Sequence, residues 1–472
     1  MLIEQIYTGC LAQGAYFIAC DGEAAIIDPL RDITPYLQKA QSAGVVIKYI
    51  LETHFHADFV SGHLDLSRQT GAPIIYGPNA IAGFPFQSVG DGEELPLGRC
   101  HIRLLHTPGH TMESSCYLLL DEKGIPKALF TGDTLFIGDV GRPDLVQTID
   151  VQYTPEKLAG YLFDSLQNKI LPLPDDIVIY PGHGAGSACG KNLGQQRSDI
   201  LGHQKNANYA LRPGLPRDAF IKEVTGGLTP PPGYFPANAM MNKKGYAPLE
   251  EVLTKGQKAL SPAVFSSIMD QTAALLLDTR SSDMFVSGLI PGSINIGIDG
   301  NFAPWAGAMI PDIHQPILLV AEPGREEEVI TRLARVGIDN CLGYLAGGID
   351  AWDSEGKELD YIDSVTPLEL SEIMHRTPVE ILDVRKFDEY ERGHVLGAVN
   401  IPLDEINNGM VHLSPDKSRY VYCAGGYRSM IFISILKARG YSNFIDIKGG
   451  FTAIRHSGKF SITNDTLLKH IP

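Results

Sequence analysis

The run from Thr53 to His63, THFHADFVSGH, sets three potential metal ligands at alternate positions: His54, His56 and Asp58. An apolar run, Ile47 to Leu51, precedes it and reads as a buried strand, so the three lie on the loop where that strand ends. Imidazoles two residues apart on a loop can turn toward one point, and neutral imidazole is the commonest protein ligand for a catalytic transition metal. His110 in TPGHT, Asp133 in LFTGDTLF and His183 in IVIYPGHG each follow an apolar run in the same way. A second chemistry lies near the other end, in YVYCAGGYRS (420–429). There a strand ends at Cys423, a loop with Gly425 and Gly426 follows, and a helix begins near Ser429 and stops at Gly440. Inward-pointing amides and a helix N-terminus stabilise a thiolate or persulfide, and Arg428 adds a full charge expected to face a bound anion.

The elements that must position these residues are short. YFIAC and AAIID read as strands paired around Asp21-Gly22. Asp32 to Ala43 reads as a helix, capped by Asp32 or Thr34, with Pro35 in its first turn and Gly44 past its end. Strand-like runs at 72–78, before His110, before Asp133 and before His183 alternate with turn signals. Five or more strand ends therefore aim at one edge, which suits a β-sandwich flanked by helices. Lys191 to Tyr209 reads as a polar helix, and residues 226–250, rich in Pro and Gly, as an interdomain linker.

The last third repeats itself. LLLDTRSSDMFVSGLIPGSINI (275–296) parallels EILDVRKFDEYERGHVLGAVNI (380–401), with Asp278 and Asp383 lying 105 residues apart. Each copy alternates strands with helical runs and reads as a small α/β domain with a parallel sheet. At the loop the first copy reads VAEPGREEE, so Val320, Ala321 or Glu322 stands where the second has Cys423, and no nucleophile is present. The expected domains are 1–225 (metal), 226–250 (linker), 251–360 (inactive repeat) and 361–472 (active repeat).

With 472 residues, several domains are expected. The formal charge of −16 argues against nucleic acid and anionic membranes as partners. No apolar run reaches the roughly 18 residues of a spanning helix, and no secretory signal is visible. Seven scattered cysteines without a CxxC fit a reduced, cytoplasmic compartment. Cys189, six residues after His183, is a candidate sulfur acceptor near the metal site.

Four pieces in order, THFHADF, TPGHT, GDTL and YPGHG, resemble the metallo-β-lactamase superfamily over about residues 1–205. That implies an N-terminal αββα sandwich. Members that hold two metals carry HxHxDH, whereas Phe59 stands after Asp58 here, so one metal per chain is expected. The persulfide dioxygenase branch looks most similar. It implies Fe²⁺ held by His54, His110 and Asp133, with His56, Asp58 and His183 behind them or as further ligands. It also implies that Arg142, in DVGRPDL, binds an anionic group of the substrate. Two imidazoles and a carboxylate on one face leave room for O₂ and a substrate sulfur. The alternative is a glyoxalase II-like thioester hydrolase holding Zn²⁺ on His54, His56 and His110.

LDVR, GHVLGAVNIP, CxxGxR and KGGF resemble the rhodanese family over 363–472, and the first repeat resembles the same fold without its cysteine. The α+β and α/β multidomain order is similar to the fused persulfide dioxygenase–sulfurtransferases of bacterial sulfide detoxification. That resemblance implies a small-molecule persulfide oxidised by O₂ to sulfite and thiol, with Cys423 making or using thiosulfate, in a homodimer or homotetramer.

Overall fold

The structure is a computed structural model that describes residues 1–145, 152–410, 413 and 417–463. The described chain divides into two compact units. The first holds Met1–Val252 with Pro311–Ile313 and Thr331–Asp339, and the second holds the rest.

Two six-stranded sheets build the first unit. One runs, in spatial order, Leu2–Thr8, Gln13–Cys20, Glu23–Ile27, Val46–Leu51, Ile74–Tyr76, Gln87–Ser88. The other runs Asp199–Ile200, Val178–Pro181, Pro126–Gly132, Ser115–Leu120, Cys100–His106, Glu94–Leu97. Tyr16, Ile18, Leu51 and Ile75 of the first sheet pack against Ile102, Leu104, Leu119 and Phe130 of the second. On the outer side of the first sheet, Phe17, Ile26 and Ile50 meet Tyr36 and Ala40 of helix Thr34–Ala43 and Leu66 of helix His63–Thr70. On the outer side of the second, Leu118, Leu129 and Ile179 meet Ala159, Leu162, Phe220 and Val224 from helices Pro155–Ser165 and Arg217–Thr225. The layers are therefore helix, sheet, sheet, helix. Gln13–Cys20 is buried at every position because both its faces are covered, so it reads as a continuous run without alternation.

Three expectations about local structure change. Helix Thr34–Ala43 has Ile33, not Asp32 or Thr34, at its N-cap, but Asp32 still accepts from the Thr34 amide (3.1 Å), and Gly44 closes the helix in the left-handed region. Within 191–209 only Leu201–Ala207 is α-helical. The amides of Lys191 and Asn192 instead bond the Asp139 carboxylate (2.7 and 2.6 Å), which holds that segment as a loop. Residues 226–250 are more than a linker: they belong to the first unit and contain helix Phe235–Lys244, with Pro236 in its first turn. The buried face of this helix carries Asn238 and Asn242 beside Phe235 and Ala239, so apolar periodicity could not announce it.

The second unit contains two parallel five-stranded sheets. Their equivalence extends to individual bonds. Arg280 grips Asp278 through Nε and Nη2 and donates to the Gly288 carbonyl (2.8 Å); Arg385 does the same to Asp383 and Gly393 (2.8 Å). Strand pairing places Asp278 beside Val320 and Asp383 beside Tyr422. Ala321 therefore takes the place of Cys423, which resolves the three-way choice left open by the sequence.

Both Asp–Arg pairs are buried, so removing one partner strands a charge. Asp278→Ala and Asp383→Ala are each expected to destabilise the second unit by about 3–5 kcal/mol in urea unfolding. Wild-type midpoints would mean that the pairs are not structural.

Candidate metal centre and sulfur-transfer loop

His54, His110 and Asp133 come together, buried, with one ligand atom from each within 4.8 Å of the others. His54 follows strand Val46–Leu51, His110 follows Cys100–His106, and Asp133 follows Pro126–Gly132. Hydrogen-bond directions fix both rings. The Thr53 hydroxyl donates its one proton to Asp28 (2.8 Å), so the 2.9 Å contact to His54 must be donated by His54 Nδ1–H. His110 Nδ1–H donates to the Arg142 carbonyl (2.8 Å). Each ring thus turns the lone pair of Nε2 toward Asp133 Oδ2, at 3.9 Å from His54 and 3.5 Å from His110. Asp133 Oδ2 is buried without a hydrogen-bond partner. Burial, followed by the neighbouring imidazoles, holds His54 well below its usual value and so keeps it neutral. An unsatisfied carboxylate oxygen faced by two imidazole nitrogens fits a metal cation.

His183 organises the carboxylate. Its Nδ1 lies 2.8 Å from Asp133 Oδ1 and its Nε2 lies 2.8 Å from Asp58. Burial opposes protonation there, but the two carboxylates outweigh it and raise His183 well above its usual value. Burial likewise raises the Asp133 carboxyl, but His183, then His54 and His110, outweigh it and hold Asp133 low.

His56 points elsewhere: its Nε2 lies 3.1 Å from Asp28 and 3.5 Å from Glu52, and its ring stacks on Phe59. Burial pulls His56 down, but Asp28, then Glu52 and Asp58, push it up to about 9. Asp28, Glu52 and His63, 3.5 Å from Glu52, form a buried acid–imidazole cluster that sequence reasoning missed. The available signal was that Asp28 and Glu52 directly follow strands Glu23–Ile27 and Val46–Leu51.

Cys189 is also buried and gathers with Asp58 and His183 within 4.8 Å. Burial, then Asp58 and Asp133, push its thiol well up, so it is held neutral and covered rather than presented as an open sulfur acceptor. Arg142 is occupied within the fold. Its guanidinium is committed to Asp144 (2.7 and 2.7 Å) and to the carbonyls of Ala188 and Thr229. It braces loops, and its own carbonyl is what touches His110.

Asn242, also missed, clamps the motif loop. Its amide donates to the carbonyls of His56 (2.8 Å) and Phe59 (2.7 Å) and accepts from the Ser61 amide (2.9 Å). A cavity of about 420 Å³ opens beside His110, lined by Phe55, Glu113, Phe235, Met240 and Lys243 among others.

In the second unit, Cys423 follows strand Arg419–Tyr422, and its Sγ accepts from the Gly426 amide at 3.1 Å. Gly426 has φ +103° at the start of helix Tyr427–Ala438, while Gly425 faces open space. The KGGF segment supports the loop: Phe451 N–H bonds the Cys423 carbonyl at 2.7 Å, and a Cβ on Gly450 would lie 2.5 Å from that oxygen. Arg428 does not face an open anion site. It forks onto Glu389 (2.5 and 2.9 Å), so an incoming anion must compete with that carboxylate.

Residues 8–183 match the family described as "Metallo-beta-lactamase superfamily", and 261–355 and 366–457 each match "Rhodanese-like domain". "Hydroxyacylglutathione hydrolase GloC" of Haemophilus influenzae is 30% identical over 214 residues, 40% of this chain and 94% of that one. The chain belongs to the metallo-beta-lactamase superfamily. "Hydroxyacylglutathione hydrolase" of Polaromonas sp. is 35% identical over 190 residues, 39% of this chain; the chain spans 66% of that relative's length. The crystal structure of a metallo-beta-lactamase from Staphylococcus aureus aligns with TM-score 0.63 and 32% identity over 73% of this chain and 98% of that one. This superfamily member thus couples a metal-binding fold to two rhodanese-like domains.

Asn242→Leu would orphan three buried backbone groups, each costing about 1–3 kcal/mol. The expected outcome is a lower melting midpoint together with loss of bound metal, measured by elemental analysis. Full metal content would show that the clamp does not shape the site.

Proposed function

We propose that the protein is a non-haem iron persulfide dioxygenase joined to a sulfurtransferase. The carrying observation is the donor set: two imidazoles and one carboxylate converge in a chain that also cradles a cysteine in a CxxGxR loop. When bound by His54, His110 and Asp133, iron would supply O₂ activation and a charge to hold the substrate's sulfur. The net reaction is R–S–S⁻ + O₂ + H₂O → R–SH + SO₃²⁻ + H⁺.

The chain's own residues prepare this chemistry. Thr53 and the Arg142 carbonyl hold the two rings in one tautomer. His183 fixes Asp133 from behind. The cavity beside His110 takes the thiol carrier: its apolar walls pack the body, and Lys243 meets an anionic end. At the other site, a persulfide on Cys423 gives its outer sulfur to sulfite: Cys–S–S⁻ + SO₃²⁻ → Cys–S⁻ + S₂O₃²⁻. The Gly426 amide stabilises the thiolate that leaves. Oxygen, the persulfide, sulfite and thiosulfate are the small-molecule partners of this reading.

A zinc thioester hydrolase is the second reading, favoured by the names of the curated relatives. His56 weighs against it: its Nε2 is directed at Asp28 and Glu52, and it is not among the three converging donors.

Oxygen uptake and sulfite release by iron-loaded protein given glutathione persulfide or coenzyme A persulfide test the proposal. Uptake is expected with iron and not with zinc; hydrolysis of S-lactoylglutathione without uptake would favour the second reading. Asp133→Ala is expected to lose metal and oxygen uptake yet keep thiosulfate:cyanide sulfurtransfer, with Cys423→Ser showing the reverse. Lys243→Ala should raise KM for the persulfide about tenfold with kcat little changed, as for a group that binds substrate and transition state alike.

A further inference from the structure

The degenerate repeat has no cysteine at its loop, where Ala321 stands, yet it touches the loop that has one. Helix Tyr427–Ala438 starts inside that loop, and every residue from Ser429 to Leu436 is buried. A helix apolar on all sides must be covered on all sides. Its own sheet covers one side through strands Arg419–Tyr422 and Phe444–Ile447, and the edge strand Ile294–Asn295 of the first repeat covers another. The Asn295 amide donates to Ser434 Oγ at 2.9 Å, satisfying an edge-strand group and fastening the helix.

The second contact reaches the loop itself. Tyr427 is the first residue of the helix, between Gly426, whose amide holds Cys423 Sγ, and Arg428, which holds Glu389. Its hydroxyl donates to the Gly297 carbonyl at 2.7 Å. Its ring lies so close over Gly300 that a Cβ there would come within 2.3 Å of it. The segment 297–300 is in turn fixed to the first repeat's core, since the Ile298 amide bonds the Thr279 carbonyl beside the buried Asp278–Arg280 pair.

We propose that the first rhodanese-like repeat is a positioning domain, gripping Tyr427 in the notch at Gly297 and Gly300 to hold the Cys423 cradle in register. The proposal rests on reading Cys423 as the sulfur carrier. Tyr427 and Gly300 act through Gly426 and Arg428 and are positioning residues.

The test uses the full-length chain as wild type, Gly300→Val, Tyr427→Phe, Tyr427→Ala and the Gly300→Val/Tyr427→Ala double variant. Thiosulfate:cyanide kcat and KM are measured, and so is the rate of Cys423 alkylation by iodoacetamide at fixed pH, read on its own peptide by mass spectrometry. Gly300→Val, remote in sequence from the loop, is expected to lower kcat about tenfold with KM nearly unchanged, because small misplacements of reacting groups are costly. It should also change the alkylation rate at an unaltered melting midpoint. Tyr427→Phe should lose about threefold, from one hydrogen bond of ordinary strength. The double variant should be no worse than Tyr427→Ala, since the clash needs the ring; a purely structural role for Gly300 would make the losses multiply. Wild-type kcat and alkylation in folded Gly300→Val and Tyr427→Phe would overturn the proposal, as would multiplicative losses. If Gly300→Val does not fold, Tyr427→Phe decides. If wild type transfers no sulfur, the carrier reading falls, and the Cys423 alkylation rates still decide whether the notch holds the loop.

Discussion

A buried imidazole has two nitrogens, and both must be accounted for. Around Asp133 that constraint runs through the whole centre. Thr53 has a single hydroxyl proton, and Asp28 takes it. His54 must then donate from Nδ1, which leaves Nε2 as a lone pair facing inward. His110 reaches the same state through a carbonyl, and His183 is spent between two carboxylates. The orphaned oxygen of Asp133 is the point on which these choices converge. The sandwich supplies the strand ends; hydrogen-bond direction decides which atoms are left to bind a cation.

The rhodanese-like half meets a different constraint. Its cysteine needs close backbone approach on both sides of the loop, at Gly426 and at Gly450. Duplication produced two such scaffolds, with the Asp–Arg grip and its carbonyl repeated at the same spacing. Only one kept the nucleophile. The other kept the stiff core and its sheet edge, the parts a neighbour can lean on.

What the sequence revealed follows from how local each signal is. The HxHxD loop, the strand ends bearing His110, Asp133 and His183, and the CxxGxR cradle are carried by spacings of a few residues, and all fall where expected. The 105-residue repeat was visible because two copies can be compared. Side-chain directions were not visible. Arg142 and Arg428 look like anion binders until Asp144 and Glu389 claim them. Asp28 comes from a different stretch from Glu52 and His63, which bracket the motif loop, and the three meet only in the fold. Asn242 sits on a helix whose buried face is partly polar, so no hydrophobic pattern could point to it.

Strand Gln13–Cys20 lies between two apolar layers, so a shift by one residue would exchange its two buried faces. Polar contacts, as well as packing, pin its register. Tyr16 hydroxyl to the Pro181 carbonyl (2.5 Å), Gly14 amide to the Gly182 carbonyl (2.9 Å) and Gln13 amide to the Asp28 carbonyl (2.9 Å) are the pins. Their acceptors lie next to His183 and at Asp28 itself. A slipped strand would therefore scramble the very loops that assemble around Asp133, so a cation binding there would also proofread the folding of the strand beneath it.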